Sequence, residues 1–274
     1  MKSSSGLVVN IPNETSQAAR QLVSNNNRYL QIGDCLESIL NQIDLTLLDP
    51  SSIEDNEIVF RLALTSAFQY SELLPDSLAS LATMKRIDWK YALYLPTNHP
   101  GINKKALCKF RQLLYTSDKA LSEIGHLFLI LADFGIFSHL QNHSANPIDI
   151  ISVICQKNRL SRLQDALKVG ISLVSAAAPD WLASHVAFHW FARYRPGQKN
   201  MVDPCDYNNL KIFAEKTGAD IFLFLQVLHK KDSPELLNRS EIQYLSQLFQ
   251  QQYLQDGDTL RWKDSGCINC IRNI

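Results

Sequence analysis

The sequence has few glycines and prolines, which loop-rich proteins need, and no long apolar run, which a membrane-spanning protein needs. Its 274 residues include only ten glycines and ten prolines. No apolar run approaches the roughly 18 to 20 residues that cross a bilayer. The first residues also lack a charged segment followed by a long apolar one, so no signal peptide is indicated. We therefore expect a cytoplasmic protein with no membrane partner.

Cysteine is also sparse, and its scatter along the chain excludes a dense disulfide framework. We expect free, buried thiols at the first four cysteine positions, Cys35, Cys108, Cys155 and Cys205. Cys267 and Cys270 have the CxxC spacing of a zinc site, but the sequence has no second pair. His185 and His189 stand four residues apart, and we interpret them as packing or surface residues. No metal site is predicted.

The formal net charge of zero hides a segregation of charge along the chain. Residues 1–80 carry 4 basic and 10 acidic side chains, whereas residues 85–111 carry 7 basic and 1 acidic. We call residues 85–111 the basic stripe. A local cluster of this kind is typical of a surface that meets phosphates, so the stripe is the first candidate for a nucleic-acid contact.

Apolar residues recur at three- and four-residue spacing over long stretches, which predicts amphipathic helices. Residues 148–177 are predicted to form one long or once-broken helix, and Pro179 and Asp180 begin another. A polar turn at Asp256–Asp258 precedes a short predicted strand, Thr259–Trp262. The expected fold class is therefore mainly α, with a multi-helix N-terminal domain, a second helical region and at most a short strand or two.

A polar interruption at residues 142–147 separates the two helical regions and favours a domain boundary there. We expect four segments, which are an N-terminal tail (1–26), a helical domain (27–140), a second helical segment (141–263) and a divergent tail (264–274).

The most specific string in the chain is R-I-D-W-K-Y-A-L at residues 86–93, followed by P-G at 100–101 and F-R-Q-L-L at 110–114. It resembles the N-terminal helical domain of insertion-sequence transposases, the InsH-like group with a DDE catalytic core. Further landmarks of that family follow in consistent order across residues 27–263. They are N-R-Y-L at 27–30, N-R-L at 158–160, A-P-D-W-L at 178–182, T-G-A-D at 217–220, Q-Q-Y at 251–253 and L-R-W-K at 260–263.

The resemblance implies a helix-turn-helix-like domain that binds double-stranded DNA at the terminal inverted repeats of a mobile element. Association with a second copy or with an intact transposase is a further expectation. Trp89, Tyr91 and Phe110 are interleaved with the charges, and we interpret them as core anchors rather than base contacts. We expect phosphate contacts from Arg86, Lys90, Lys104, Lys105, Lys109 and Arg111, with Arg159 as an outlying candidate.

The resemblance also bears on catalysis, because the family uses three carboxylates to hold Mg²⁺ in an RNase H-like core. The position of the first carboxylate falls on Asn146, and the other two fall beyond Ile274. An amide cannot supply the bridging negative charge, and Pro147 would disturb a strand that presents the ligand. We therefore predict no catalytic residue and no cofactor, and interpret the chain as a truncated, inactive relative.

Two alternatives remain open from the sequence. In the first alternative, the chain is a helical protein-interaction module or a transposase remnant, and it does not bind DNA. Its acidic first 80 residues would then mask the basic stripe in the same chain or pair with it in a homodimer. A third interpretation joins it to a second reading frame that supplies the missing acidic residues, which would require Asn146 to be tolerated.

Overall fold

The computed structural model describes residues 9–44, 53–140, 144–185, 194, 207–230, 234–256 and 259–263. Of the described residues, 75% are helical, and they form thirteen helices and one two-stranded sheet. The predicted fold class, mainly α with at most a short strand or two, is confirmed.

Eight helices precede residue 140. They are α1 (Asn13–Leu22), α2 (Arg28–Asp34), α3 (Leu36–Leu40), α4 (Ile53–Ser71), α5 (Asp76–Lys85), α6 (Ile87–Ala92), α7 (Lys104–Thr116) and α8 (Asp118–Asp133). Five further helices follow, which are α9 (Pro147–Ala177), α10 (Pro179–His185), α11 (Tyr207–Lys230), α12 (Pro234–Leu237) and α13 (Ser240–Gln252). The predicted long helix is thus a single element, and a new helix begins at Pro179 as expected.

The predicted strand is present as β2 (Thr259–Trp262), and it pairs antiparallel with β1 (Tyr253–Asp256). In this register Tyr253 lies opposite Trp262 and Leu254 opposite Arg261. The sequence did not predict β1, because its four residues directly continue a helical pattern. A two-stranded ribbon gains stability only by packing on other elements.

The chain divides into two compact units, and the division falls inside α9, after Cys155. The first turns of α9 belong to the first unit, because Pro147 packs against Gly125 of α8 and Tyr70 accepts a hydrogen bond from the Ser144 amide at 3.2 Å. The polar segment that favoured a boundary at residue 141 is therefore part of the first unit.

An aromatic group forms the centre of the first unit. Tyr29 of α2 and Phe68 of α4 meet edge to face at 4.8 Å between ring centroids, and Phe68 and Trp89 of α6 do so at 5.4 Å. Phe68 and Trp89 are completely buried. Such pairs add about 0.5–1.5 kcal/mol each beyond the area they bury.

Helix α1 lies within the segment predicted as a tail, residues 1–26, yet it is packed into the first unit. Ala19 is fully buried, and the Thr15 hydroxyl donates a hydrogen bond to the Leu95 carbonyl at 2.8 Å. Because a buried hydroxyl needs a partner, this bond fixes α1 against the chain that follows α6.

Polar side chains cap the helix starts that position the candidate site. Asn27 accepts a hydrogen bond from the Tyr29 amide at 2.8 Å, and Asn103 accepts one from the Lys105 amide at 2.8 Å. Ser117 caps α8 by accepting from the amide of Ala120. Each cap satisfies a backbone donor that the helix leaves unpaired and contributes about 1 kcal/mol.

In the second unit, the β-hairpin packs on α11 through Tyr253. A Cβ added at Gly218 would lie 2.3 Å from the Tyr253 ring, so only glycine allows this approach. The Tyr253 hydroxyl donates to the Ala214 carbonyl at 2.5 Å, and Trp262 meets the Tyr253 ring edge to face. Burial raises the pKa of Tyr253 well above its usual value. The motifs T-G-A-D at residues 217–220 and Q-Q-Y at residues 251–253 therefore pack against each other.

The cysteines depart in part from the expectation. Cys35 and Cys108 are free, although both are partly exposed. Cys155 is buried as predicted but disulfide-bonded, which corrects the expected free thiol. Sequence spacing cannot show which sulfur atoms a fold brings together. Cys205, Cys267 and Cys270 lie outside the described residues.

Among the described residues, no helix combines the length and apolar character that a membrane crossing requires.

Candidate nucleic-acid interface

The segment R-I-D-W-K-Y-A-L forms α6 and the residues on either side of it, and most of it is buried. Trp89 is completely buried and Tyr91 is 4% exposed, while Phe110 of α7 is 3% exposed. The interpretation of these three aromatics as core anchors is confirmed. The most specific string of the sequence therefore builds the scaffold of the first unit.

Arg86 precedes α6 and is held by two carboxylates. Its guanidinium forms ion pairs at 2.6 Å with Glu72, at the end of α4, and at 2.6 Å with Asp88. It also lies over the rings of Tyr29 and Trp89. Burial lowers the pKa of Arg86, but its hydrogen bonds to Asp88 and Glu72 outweigh this, so the net pKa is raised. The charge is therefore neutralised within the protein.

Glu72 collects several donors at this point. The Tyr29 hydroxyl donates to it at 2.5 Å and the Trp89 indole N–H at 3.3 Å. Burial and the nearby Glu72 charge raise the pKa of Tyr29 well above its usual value, so the phenol stays protonated. Arg86 and Glu72 thus join α2, α4 and α6 through one polar network.

Lys90 and Arg111 are also turned inward. The Lys90 ammonium donates to the Thr97 carbonyl, and burial lowers the pKa of Lys90. The Arg111 guanidinium forms two hydrogen bonds with the Asp76 carboxylate, at 3.0 and 2.5 Å, and Arg111 is only 3% exposed. This bidentate pair ties α7 to the first turn of α5.

Arg159 has a comparable role in the second unit. It donates to the Gln252 side chain at 2.5 Å and to the Lys263 carbonyl at 3.0 Å, and it lies over the Trp262 ring at 4.4 Å. Arg159 is 8% exposed. The landmarks N-R-L, Q-Q-Y and L-R-W-K are therefore joined through this one guanidinium, which holds the β-hairpin to α9.

The three remaining predicted contacts lie at the solvent-facing side of α7, and we call them the α7 lysines: Lys104, Lys105 and Lys109. Lys105 and Lys109 are one helical turn apart and share a face. The buried face of α7 carries Leu107, Phe110, Leu114 and the paired Arg111. No ion pair among the described residues includes an α7 lysine.

The position of these charges does not serve the helix itself. Lys104 and Lys105 occupy the first turn of α7, which contains no acidic residue. In contrast, α5, α8 and α9 each have an aspartate in the first turn, Asp76, Asp118 and Asp149. Cations at a helix N-terminus oppose the helix dipole by about 0.3–1 kcal/mol. Lys104 and Lys105 therefore do not stabilise α7 through the helix dipole.

The loop before α7 places its start beside the end of α5. Gly101 has a φ of 91°, and a Cβ there would lie 2.9 Å from Met84. The Ile102 amide donates to the Thr83 hydroxyl at 2.8 Å. Exposed Lys85 follows Thr83 by two residues and adds a fourth cation at this end of α5. Sequence reasoning counted Lys85 in the basic stripe but did not select it.

Asn146, where the resemblance would place a carboxylate, caps α9. Its side-chain oxygen accepts a hydrogen bond from the Ile148 amide at 2.9 Å, and Pro147 takes the first helical position. Asp149 accepts a hydrogen bond from Ser144 at 2.8 Å. Asn and Pro at these two positions are typical of a helix start, so the chain here begins a helix and not a strand.

No cluster of three or more metal-ligating side chains occurs among the described residues. The imidazoles of His185 and His189 lie outside the part of the chain whose side chains are described. The chain matches no protein-family model, no curated protein and no solved structure.

Proposed function

We propose that the chain is a DNA-binding protein of the insertion-sequence transposase type, which recognises the terminal inverted repeats of a mobile element and does not cut them. One observation carries this proposal. The α7 lysines are exposed, lie on the first two turns of α7 and have no ion-pair partner among the described residues. The landmarks across residues 27–263 supply the class of protein and of DNA target.

The contact set proposed from the structure is smaller than the one expected from the sequence. Arg86, Lys90, Arg111 and Arg159 are engaged by internal partners, so moving them to a phosphate would break bonds within the protein. The α7 lysines reach solvent without such a cost. Ammonium groups of this kind neutralise phosphates and release counterions, which makes the affinity depend strongly on salt.

Binding is tested by fluorescence anisotropy of the purified chain with a labelled duplex that carries the element's terminal repeats, titrated at several salt concentrations. We expect the triple variant Lys104→Glu, Lys105→Glu and Lys109→Glu to lose nearly all affinity. We expect the slope of log affinity against log salt to fall by roughly 2 to 3.

The matched control is Lys216→Glu, which reverses an exposed lysine on α11 of the second unit. It should leave both affinity and salt slope unchanged. Equal binding by the triple variant and the original chain would refute the proposed interface.

The absence of strand cutting has its own test. Asn146→Asp restores a carboxylate at the family position and keeps a capping side chain, so α9 stays intact. We expect neither the original chain nor this variant to nick the duplex in the presence of Mg²⁺, because residue 146 lies at a helix start. Nicking by either protein would overturn this part of the proposal.

The second candidate, a helical protein-interaction module without DNA activity, is favoured by the exposed leucines of α5 and α8. Retention of the chain on heparin resin at moderate salt supports DNA binding. Passage of the chain straight through the resin supports the interaction module.

A further inference from the structure

Helix α5 exposes a line of large apolar side chains. Leu78, Leu81 and Met84 are 46%, 40% and 38% exposed and lie at three-residue spacing, so they share one side of the helix. We call these three residues the α5 strip. Exposed Lys85 follows Met84 directly in the chain. The loop at Gly101, which leads into the α7 lysines, packs closely against Met84. The strip is therefore apolar with a cationic border.

A second apolar surface of the first unit is concave. A cleft of about 640 Å³ runs along α8 and the start of α9, and its apolar walls include Leu121, Leu129, Pro147 and Ile148. We call it the α8 cleft. Leu129 and Ile148 are 56% and 50% exposed, which is unusual for side chains of this size.

Three carboxylates lie in the α8 cleft or close to it in the chain. Asp118 lines the cleft, and exposed Asp133 and Asp149 lie close to it in the chain, four residues after Leu129 and next to Ile148. None of these three carboxylates takes part in an ion pair within the described chain. Within the described chain, the lysines beside the α5 strip and the aspartates at or near the α8 cleft thus form no ion pairs.

We propose that the chain associates with a second copy of itself by seating the α5 strip of one copy in the α8 cleft of the other. Burying exposed leucines drives the contact, and the lysine and aspartate borders set its orientation. A strip and a cleft are different surfaces, so the contact is heterologous, and every copy offers both halves. The proposal does not depend on DNA binding, and its test contains no DNA.

The test is sedimentation velocity of the full chain over a range of protein concentrations. We expect a faster-sedimenting species whose fraction rises with concentration and falls with added salt. Leu78→Glu in the strip and Leu129→Glu in the cleft should each weaken self-association by at least about tenfold. Both residues are exposed, so neither change disturbs the core. The matched control is Leu223→Glu on α11, where the leucine is 47% exposed, and it should change nothing.

Mixing the two variants separates this contact from any other. The Leu78→Glu chain keeps an intact cleft and the Leu129→Glu chain keeps an intact strip, so an equimolar mixture should regain the faster species. The proposal fails if the original chain stays monomeric throughout, if only one variant weakens association, or if the mixture remains monomeric.

Discussion

The basic stripe contains two kinds of cation that the structure separates. Arg86 and Arg111 are each fixed by carboxylates and help to hold helices together. The α7 lysines carry the same charge a few residues away, yet they face solvent and pair with no carboxylate of the described chain. The basic stripe thus contains cations that hold the fold together and cations that are free to contact a partner in solution.

The difference follows from the chemistry of the side chains. A guanidinium is planar and can bond two oxygen atoms at once, which suits a buried or half-buried carboxylate. An ammonium is more strongly hydrated and costs more to bury, which accounts for the exposed positions of the α7 lysines. Buried Lys90 keeps a hydrogen bond to the Thr97 carbonyl. Charge density alone therefore overstates the size of an interface.

Among the substitutions that test this difference, Arg111→Ala is expected to change the free energy of unfolding most. It leaves the Asp76 carboxylate without its bidentate partner at a nearly buried site, and we expect the free energy of unfolding to fall by about 3 to 5 kcal/mol. Urea unfolding followed by circular dichroism measures the change. A loss smaller than about 1 kcal/mol would place Arg111 with the surface cations instead.

The next largest effect is expected at Lys157, a buried cation that forms no ion pair among the described residues. Lys157 is 6% exposed, and burial lowers its pKa from 10.5 to about 8. The unfolded chain binds more protons than the folded one between these values, so stability rises with pH across this range and the full penalty applies below it.

We therefore expect Lys157→Met to raise the free energy of unfolding at pH 7 by about 2 to 3 kcal/mol. The advantage should shrink at pH 10. Urea unfolding at the two pH values measures it. A variant that is less stable than the original chain at pH 7 would show that the ammonium has a stabilising partner.

A smaller loss of stability is expected from Arg86→Lys, which keeps the positive charge but replaces the planar guanidinium with a single ammonium. One ammonium cannot reproduce the separate bonds to Glu72 and Asp88, so we expect a loss of about 1 to 2 kcal/mol. The neighbouring exchange Lys85→Arg is the control and should be neutral. Thermal unfolding measures both, and equal melting temperatures for Arg86→Lys and the original chain would contradict a structural role.

The smallest effect on stability is expected from Lys109→Ala. This side chain is exposed and forms no ion pair within the described chain, so the free energy of unfolding should change by less than about 0.5 kcal/mol. The salt slope of DNA binding should nevertheless fall by about 1. A measurable loss of stability with an unchanged salt slope would show that Lys109 stabilises the fold and does not contact DNA.

Much of the fold was predictable because its signals are local. The long helix α9, the start of α10 at Pro179 and the strand β2 each follow from residue spacing and from breakers within a few positions. Strand β1 was missed because it begins directly after α13 with no intervening turn. Its pairing with β2 is a tertiary effect that the local pattern does not contain.

From the sequence, the candidate site could be predicted only as a set of basic residues, without showing which of them face solvent. Which of them remain available depends on partners that lie far away in the chain, since Asp76 is 35 residues from Arg111 and Gln252 is 93 residues from Arg159. No spacing rule links such positions. The aromatic residues were assigned correctly because apolar rings have a strong general preference for the interior.

The close contact between Gly33 and Tyr91 has a consequence for local opening of the chain. A Cβ at position 33 would lie 2.4 Å from the Tyr91 ring, so any larger residue displaces that ring. The Tyr91 hydroxyl bonds both Asp34 and Arg20, and these contacts help to fasten α1. A single methyl group on α2 would therefore convert α1 into a separately exchanging unit, whose amide protons reach solvent without unfolding of the aromatic core beneath it.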